Sequence, residues 1–463
     1  RIVAPIIGSS LYTWTAVIGV TLLGLSLGSV LGGILADRYL PLFGRKVLAY
    51  AALGCAALVY AMVPLSKNLG FIFSFSTSLP PLSLLISAVL FLLPALAIGT
   101  LSPLIFKLYV SDLQDIGTKY GQLSGIWSLG SIAGVFVTGY YFIQSLGTAR
   151  TVSVVAVLLL ALFFYFFTSD MRRSMDARRD ALILGAVLLA ALLIGTFSWG
   201  RAAKAADNIL FEKDTAYYAV KVVDHDLYPR YGKNRMLFLD VDMHSIQTEK
   251  PSHEFYTDIA PAFSALSSTI NNIYVIGAGA YTLPSNLRRQ YPKASIDVLE
   301  IDPEIEKVGR QFFNSNDYAL HTIVGDARVF FRDQPTAHTK RYDLIYGDAY
   351  NSFVSVPWYL LTKESIAETK RYLNPGGMYA INFISALEGQ DAALFRSVRR
   401  TMAESFRNNY VFAFGKDAEK IQNITIVGVA SDVRIPDDVI SGRLQSIDQT
   451  HFLAQAFAAN AVV

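Results

Sequence analysis

Six apolar stretches fill the first two hundred residues, at about 12–36, 47–65, 82–106, 122–146, 151–168 and 181–199. Each is close to the ~20 residues that carry a helix across the hydrocarbon core of a bilayer. From about residue 201 the pattern changes: charges fall every few positions, apolar runs shrink to strand length, and Gly, Pro and Asn separate them. That alternation marks a soluble domain.

Within the soluble part, residues 208–248 read as short strands, including Tyr217–Val223 and Met236–Val241 around a turn at Tyr231–Asn234, which predicts a small antiparallel unit. Asn272–Ile276 then runs into Gly277-Ala278-Gly279-Ala280, a helical pattern follows over Leu283–Tyr291, and Ser295–Leu299 forms a second strand ending in Glu300. This is a β-α-β unit with a carboxylate about twenty positions after the glycines. Two further strands end in acids: His321–Val324 before Gly325-Asp326-Ala327, and Tyr342–Tyr346 before Gly347-Asp348-Ala349.

Composition supports a split chain. Of 463 residues 52% are hydrophobic and 17% charged, with mean hydropathy +0.37, so a purely soluble or disordered protein is disfavoured. Forty Lys and Arg against 37 Asp and Glu leave 40 − 37 = +3, too small a bias to indicate nucleic acid. A single cysteine, Cys55, excludes an internal disulfide or a Cys-based zinc site. The sequence opens on Arg1, so it is expected to start downstream of a natural terminus, with a signal peptide or an earlier helix both open before it.

In the apolar half, Gly24, Gly28 and Gly32, and again Gly130 and Gly134, stand at helical spacing and predict close helix approach. Pro94 and Pro103 predict kinks in the third span. The spans carry no charge near their centres, which argues against a coupled transporter. The basic loops at Arg38–Lys46 and Arg172–Arg179 orient the chain with both in the cytoplasm. Strict alternation of six spans then sends residues 201–463 outward, and a miscounted crossing within residues 66–110 sends them inward, so their side stays open.

The candidate chemistry lies at the strand ends. Glycines let the backbone pass close to a nucleoside, and a carboxylate ending the next strand binds two ribose hydroxyls. Asp326 is placed to accept from an adenine amino group, Asp348 lies at the same sheet edge, and either could instead cap a helix. Asp240, Asp242 and His244, at period two, read as one face of a strand, more simply a solvated face than a metal site. Ser252, His253 and Glu254 lack the strained turn of a hydrolase nucleophile.

From Gln247 to about Phe383 the chain resembles the spermidine synthase family of polyamine aminopropyltransferases. With its helical front it is similar to the membrane-fused branch, fused major facilitator and spermidine synthase proteins. Val275-Ile276-Gly277-Ala278-Gly279, Val298–Glu304, Val324–Arg328, Tyr342–Ile345, Val356–Glu364 and Leu373–Gly377 carry the likeness. The resemblance implies a multi-span α-helical membrane domain fused to an α/β Rossmann-like domain of the class I methyltransferase type, with a small N-terminal antiparallel β unit. The expected division is 1–200 transmembrane, 201–270 linker and small β domain, and 271–463 nucleoside-binding domain.

By the same resemblance Gly277 and Gly279 flank the nucleoside, Glu300 holds the ribose, Asp326 with Ala327 meets adenine, and Gln247 contacts the donor. Tyr256 falls in the acceptor pocket, and Asp348 matches the catalytic base that takes a proton from the attacking amine. The implied donor is decarboxylated S-adenosylmethionine or S-adenosylmethionine itself, with no metal. The implied partners are an amine or membrane-associated acceptor, the lipid bilayer and other membrane proteins, with no nucleic acid. A bacterial inner membrane is the expected location. Two departures stand out: Ala280 and Asn351 occupy positions where the family carries acids that hold cationic amines. They leave open a methyl transfer from the intact donor, or a domain that has lost catalysis and serves as an assembly module.

Overall fold

The computed structural model describes residues 1–8, 10–69, 72, 79–110, 115–171, 186–187, 208–250, 255–333, 340–349, 357–447 and 452–457. The chain divides into two compact units, Arg1–Val220 and Lys221–Val463.

Five helices of the first unit are long and apolar enough to cross a membrane: α1 Leu11–Phe43, α2 Lys46–Ser66, α3 Leu79–Tyr109, α4 Ile116–Leu146 and α5 Thr148–Ser169. Apart from residues 186–187, the sixth predicted stretch lies outside the described residues, as do Arg172, Arg173, Arg178 and Arg179. Ser10 opens α1 by accepting a hydrogen bond from the Thr13 amide at 3.2 Å, and Gly44, at φ 57°, closes it. Gly24, Gly28 and Gly32 form one face of α1, where a methyl group would fall 2.7, 2.1 and 2.6 Å from Ala95 Cβ, Leu96 O and Thr100 O of α3. The two backbones therefore touch, as small residues at this spacing permit.

At Gly130 and Gly134 of the fourth span, no described residue lies within 4 Å of a side-chain carbon added at either. Among the described residues their stretch of α4 buries no residue, and the glycine spacing allows a close approach that none of the described helices makes. The two prolines of α3 also differ. Residues Ala88–Leu92 just before Pro94 form a π turn, which widens the helix where proline removes an amide donor, whereas Pro103 lies inside regular helix.

Four strands, β1 Ile209–Asp214, β2 Ala219–Asp224, β3 Asn234–Leu239 and β4 Asp242–Thr248, form a sheet in sequential order. In the antiparallel β3–β4 pair Asn234 faces Thr248 and Met236 faces Ile246. Asp240 does not share a strand face with Asp242 and His244: at φ 56° it occupies the turn between β3 and β4, a conformation Asp tolerates better than most side chains.

The remaining strands are β5 Asn272–Ile276, β6 Ser295–Glu300, β7 His321–Val324, β8 Tyr342–Gly347, β9 Leu373–Ser385, β10 Asn408–Ala413 and β11 Gln422–Val429. They build one sheet in the order β10-β11-β9-β8-β5-β6-β7. β5 pairs in parallel with both β6 and β8, β9 extends the parallel run, and β11 is antiparallel to both its neighbours. This order, with its one reversed strand, is the Rossmann-like methyltransferase arrangement expected from the sequence. The central strands are apolar on both faces because helices cover both. Under one face, Tyr274 meets Tyr342 at a ring distance of 4.9 Å and Phe331 at 5.4 Å, among buried Ile345, Ile366, Tyr372 and Phe383. Phe457 bridges Phe412 of the outer strand β10, their rings 5.4 Å apart.

Candidate active site

In a parallel sheet wound in both directions, the first strand's neighbours lead opposite ways, and a crevice opens beyond the carboxyl ends at that switch. Here the switch lies between β5, which leads on to β6 and β7, and β8, which leads on to β9. Gly277 follows β5 and Asp348 follows β8. The Asp348 amide donates to Ile276 O at 2.8 Å, and Gly277, at φ 89°, comes so near that an added methyl would lie 2.6 Å from Asp348 O. Only glycine meets both the sign of φ and the space there.

The rest of the loop is fixed from two sides. Ser245 of β4 accepts from the Ala280 amide at 2.8 Å, and a methyl on Gly279, at φ 50°, would fall 2.5 Å from the Ser245 hydroxyl oxygen. Below it Glu300, buried at the end of β6, accepts from the Ala278 amide at 2.9 Å through Oε2 and from the Asp302 amide at 3.0 Å through Oε1. Burial raises the Glu300 pKa, and these amide donors oppose the rise. Asp302 in turn caps the helix Pro303–Phe312 through the Glu304 amide at 3.0 Å.

Asp326 follows β7 and accepts through Oδ1 from the amides of Arg328 at 2.7 Å and Val329 at 3.2 Å, capping the helix that opens at buried Ala327. Tyr359 lies close enough that the Asp326 charge adds to burial in raising its phenol pKa. Gln247 sits on β4 two residues beyond Ser245, and its side-chain amide donates to Phe313 O at 3.3 Å. His244, on the opposite face of that strand, is pushed down to about 4 by burial and is neutral at physiological pH.

Asp348 is held differently from Asp326. Its Oδ2 accepts from the Tyr256 hydroxyl at 3.1 Å, and its Oδ1 accepts from Asn382 Nδ2 at 2.8 Å. No described residue uses it as a helix cap. Burial pushes its pKa up to about 6, with the Asn382 and Tyr256 bonds pulling the other way. Beneath it, buried Tyr346 bonds Thr425 Oγ1 at 3.2 Å, and its phenol is driven far up by burial first and the Asp348 charge second. The structure thus brings Asp348, Tyr256, Gly277 and Asn382 to one place. Glu300 and Gly279 share the glycine loop, Gln247 lies on the strand over it, and Asp326 is at the next strand end. Asn351, Ser252, His253 and Glu254 lie outside the described residues.

Two members of this group, Ser245 and Asn382, went unnoticed in the sequence. The available signal for Asn382 was a lone amide inside an apolar central strand, Met378–Phe383, a position that needs a polar partner when buried.

No protein-family model matches the chain. A polyamine aminopropyltransferase of Vibrio vulnificus strain CMCP6 is 28% identical over 222 residues, which cover 46% of this chain and 71% of that protein. A probable polyamine aminopropyl transferase of Bifidobacterium longum strain NCC 2705 is 26% identical over 241 residues, 51% of this chain and 50% of that one. Over these residues the chain is similar to polyamine aminopropyltransferases. It spans about half of the second relative's length. A solved structure, a probable spermidine synthase from Corynebacterium glutamicum ATCC 13032, aligns at a TM-score of 0.43 and 19% identity, covering 52% of this chain and 88% of that one. Among the described residues, two polar side chains from other elements, Tyr256 and Asn382, converge on the carboxylate at the β5–β8 switch.

Proposed function

We propose that the protein is an aminopropyltransferase that moves an aminopropyl group from decarboxylated S-adenosylmethionine to an amine, with Asp348 as the base. The observation that carries this reading is Asp348 itself: a carboxylate at the switch point, gripped at both oxygens by Tyr256 and Asn382 and raised to about 6. An amine has a pKa near ~10 and is protonated at neutral pH, so it needs a positioned base before it attacks. The amine nitrogen bonds to the carbon beside the sulfonium, the carbon–sulfur bond breaks, and the pair leaves on a neutral thioether. The displaced proton goes to Asp348. A carboxylate raised towards 6 is a better proton acceptor than an ordinary one and is still ionised at pH 7.

In this reading Gly277 and Gly279 let the nucleoside lie against the loop. Glu300 keeps lone pairs for the ribose hydroxyls beyond the two amides it already serves, and the Asp326 oxygen not used in capping, with Ala327 beside it, meets adenine. Gln247 contacts the donor and Tyr256 the acceptor. The five apolar helices hold the chain in a membrane, expected to be a bacterial inner membrane, where a membrane-associated acceptor is within reach.

A second reading, methyl transfer from intact S-adenosylmethionine, is favoured by Ala280, which is buried and held through its amide by Ser245, with no acid there to meet an amino tail. The deciding experiment incubates the full chain with either donor and a panel of amines and reads methylthioadenosine against S-adenosylhomocysteine. Methylthioadenosine made by the wild type and cut about a hundredfold in Asp348→Asn supports aminopropyl transfer with this base. Undiminished turnover by the variant removes Asp348 from the mechanism, and neither product from either donor leaves an assembly module.

A further inference from the structure

We infer that Asn382 sets the orientation of Asp348 and offers its own carbonyl oxygen to the acceptor nitrogen, so that the site selects primary over secondary amines. This inference rests on the aminopropyl-transfer reading above. Gly347 at the end of β8 is in register with Ile381, which puts Asn382 beside Asp348 on the neighbouring strand. The side chain is buried, at 3% exposure. Its Nδ2 donates to Asp348 Oδ1 at 2.8 Å and points its other hydrogen to Asn423 Oδ1 at 3.3 Å.

Those two acceptors fix the amide. Turning it over would set Oδ1 against a carboxylate oxygen and against the Asn423 carbonyl, two repulsive contacts in place of two bonds. The direction of Oδ1 is therefore determined by its neighbours. Asn382 Oδ1 is nonetheless buried with no hydrogen-bond partner among the described residues. A buried amide oxygen left without a donor is costly, and such atoms generally find one in a functional complex. Because Oδ1 shares a planar amide with the nitrogen on Asp348, a group bonded to Asp348 lies within its reach.

The attacking amine is that group. A neutral primary amine has two N–H bonds and one lone pair. With one hydrogen on Asp348 and the other on Asn382 Oδ1, the lone pair is left pointing away from both, free for the donor carbon. A secondary amine has one hydrogen for the two acceptors and leaves one unmet. Among the described residues, the titratable groups facing Asp348 are Tyr256, which donates its hydroxyl hydrogen to Oδ2, and Tyr346, whose phenol is driven far up by burial.

The test uses the full chain with decarboxylated S-adenosylmethionine, reading methylthioadenosine, with putrescine and butylamine compared against the same amines N-methylated at each nitrogen. The wild type is expected to favour the primary amines about tenfold or more in kcat/KM. In Asn382→Leu that ratio should fall towards one, kcat should drop about tenfold, and the acid limb of the pH profile should move up from near 6 by about one unit, with methylthioadenosine affinity unchanged. Asn382→Asp, which keeps the volume but sets a second carboxylate against the first, should move the limb further up. Should the Leu variant fail to bind methylthioadenosine and so prove misfolded, the Asp variant carries the test through the limb alone. An active wild type without the primary-amine preference overturns the inference, as does a folded variant that retains the ratio and the limb. A wild type inactive with every amine overturns the aminopropyl reading beneath it.

Discussion

Asp348 is kept ionised at a cost to the fold. Its carboxyl is raised from the usual 3.8 to about 6, so as pH climbs from about 4 to 6 the unfolded chain ionises it before the folded chain does. Folded stability falls across that window and stays lower above it. Asp348→Asn is therefore expected to melt higher than wild type at pH 7, with the gap closing as pH drops towards 4. Paired melts at the two pH values check this, and a variant that melts lower at pH 7 contradicts the assignment. Glu300 carries the opposite expectation. Replacing it by Ala orphans the Ala278 and Asp302 amides and loosens the glycine loop, so methylthioadenosine titration should lose affinity at least tenfold while melting falls.

At this scale the sequence was readable wherever an acid ended a strand, because strand ends set where a side chain must point. The placement of Glu300, Asp326 and Asp348 at strand ends was legible that way. The reason for Gly277 was not readable. Its space is taken up by the Asp348 backbone, a contact between residues 71 positions apart that only the pairing of β5 with β8 reveals. Asn382 stayed hidden for the same cause.

Among the elements, β5 and β7 run over the residues that their apolar runs delimit, since four β-branched or aromatic residues in β5 and three in β7, each between a polar start and a glycine, leave little freedom. The helices gave a less even result. Gly28 and Gly130 share the spacing that favours close approach, yet one meets a neighbouring backbone and the other meets no described residue. Periodicity states what a face permits, and only the partner decides whether it is used. Gly28→Ala would push a methyl group to 2.1 Å from Leu96 O and should lower the melting temperature of the detergent-solubilised protein by several degrees, equivalent to about 1–3 kcal/mol of overpacking. Gly130→Ala should leave it unchanged or slightly raised, as alanine favours helix. Equal effects from both would mean that the α1–α3 contact is looser than described.

At the scale of the whole molecule, composition changes near residue 201, because lipid and water demand different side chains, while the compact units divide between Val220 and Lys221. Five apolar helices predict that the chain stays with membranes through an alkaline carbonate wash and leaves them only in detergent. Release by carbonate would contradict their spanning the bilayer. Which side of it the C-terminal residues occupy did not follow from counting spans, since one crossing more or fewer inverts the answer. A reporter after Val463 that is active on one side only decides it.

The contact of Phe457 with Phe412 bears on how the protein can be handled. β10 is the last strand of its sheet, and its free side would otherwise present a row of unmatched amides and carbonyls to any other chain. The tail from Phe452 shields part of that border, with Phe452 against Phe414 and Phe457 against Phe412. Proteolysis or deliberate trimming before Phe452 should therefore turn a well-behaved molecule into one that self-associates as its concentration rises, visible by light scattering before any loss of nucleoside binding.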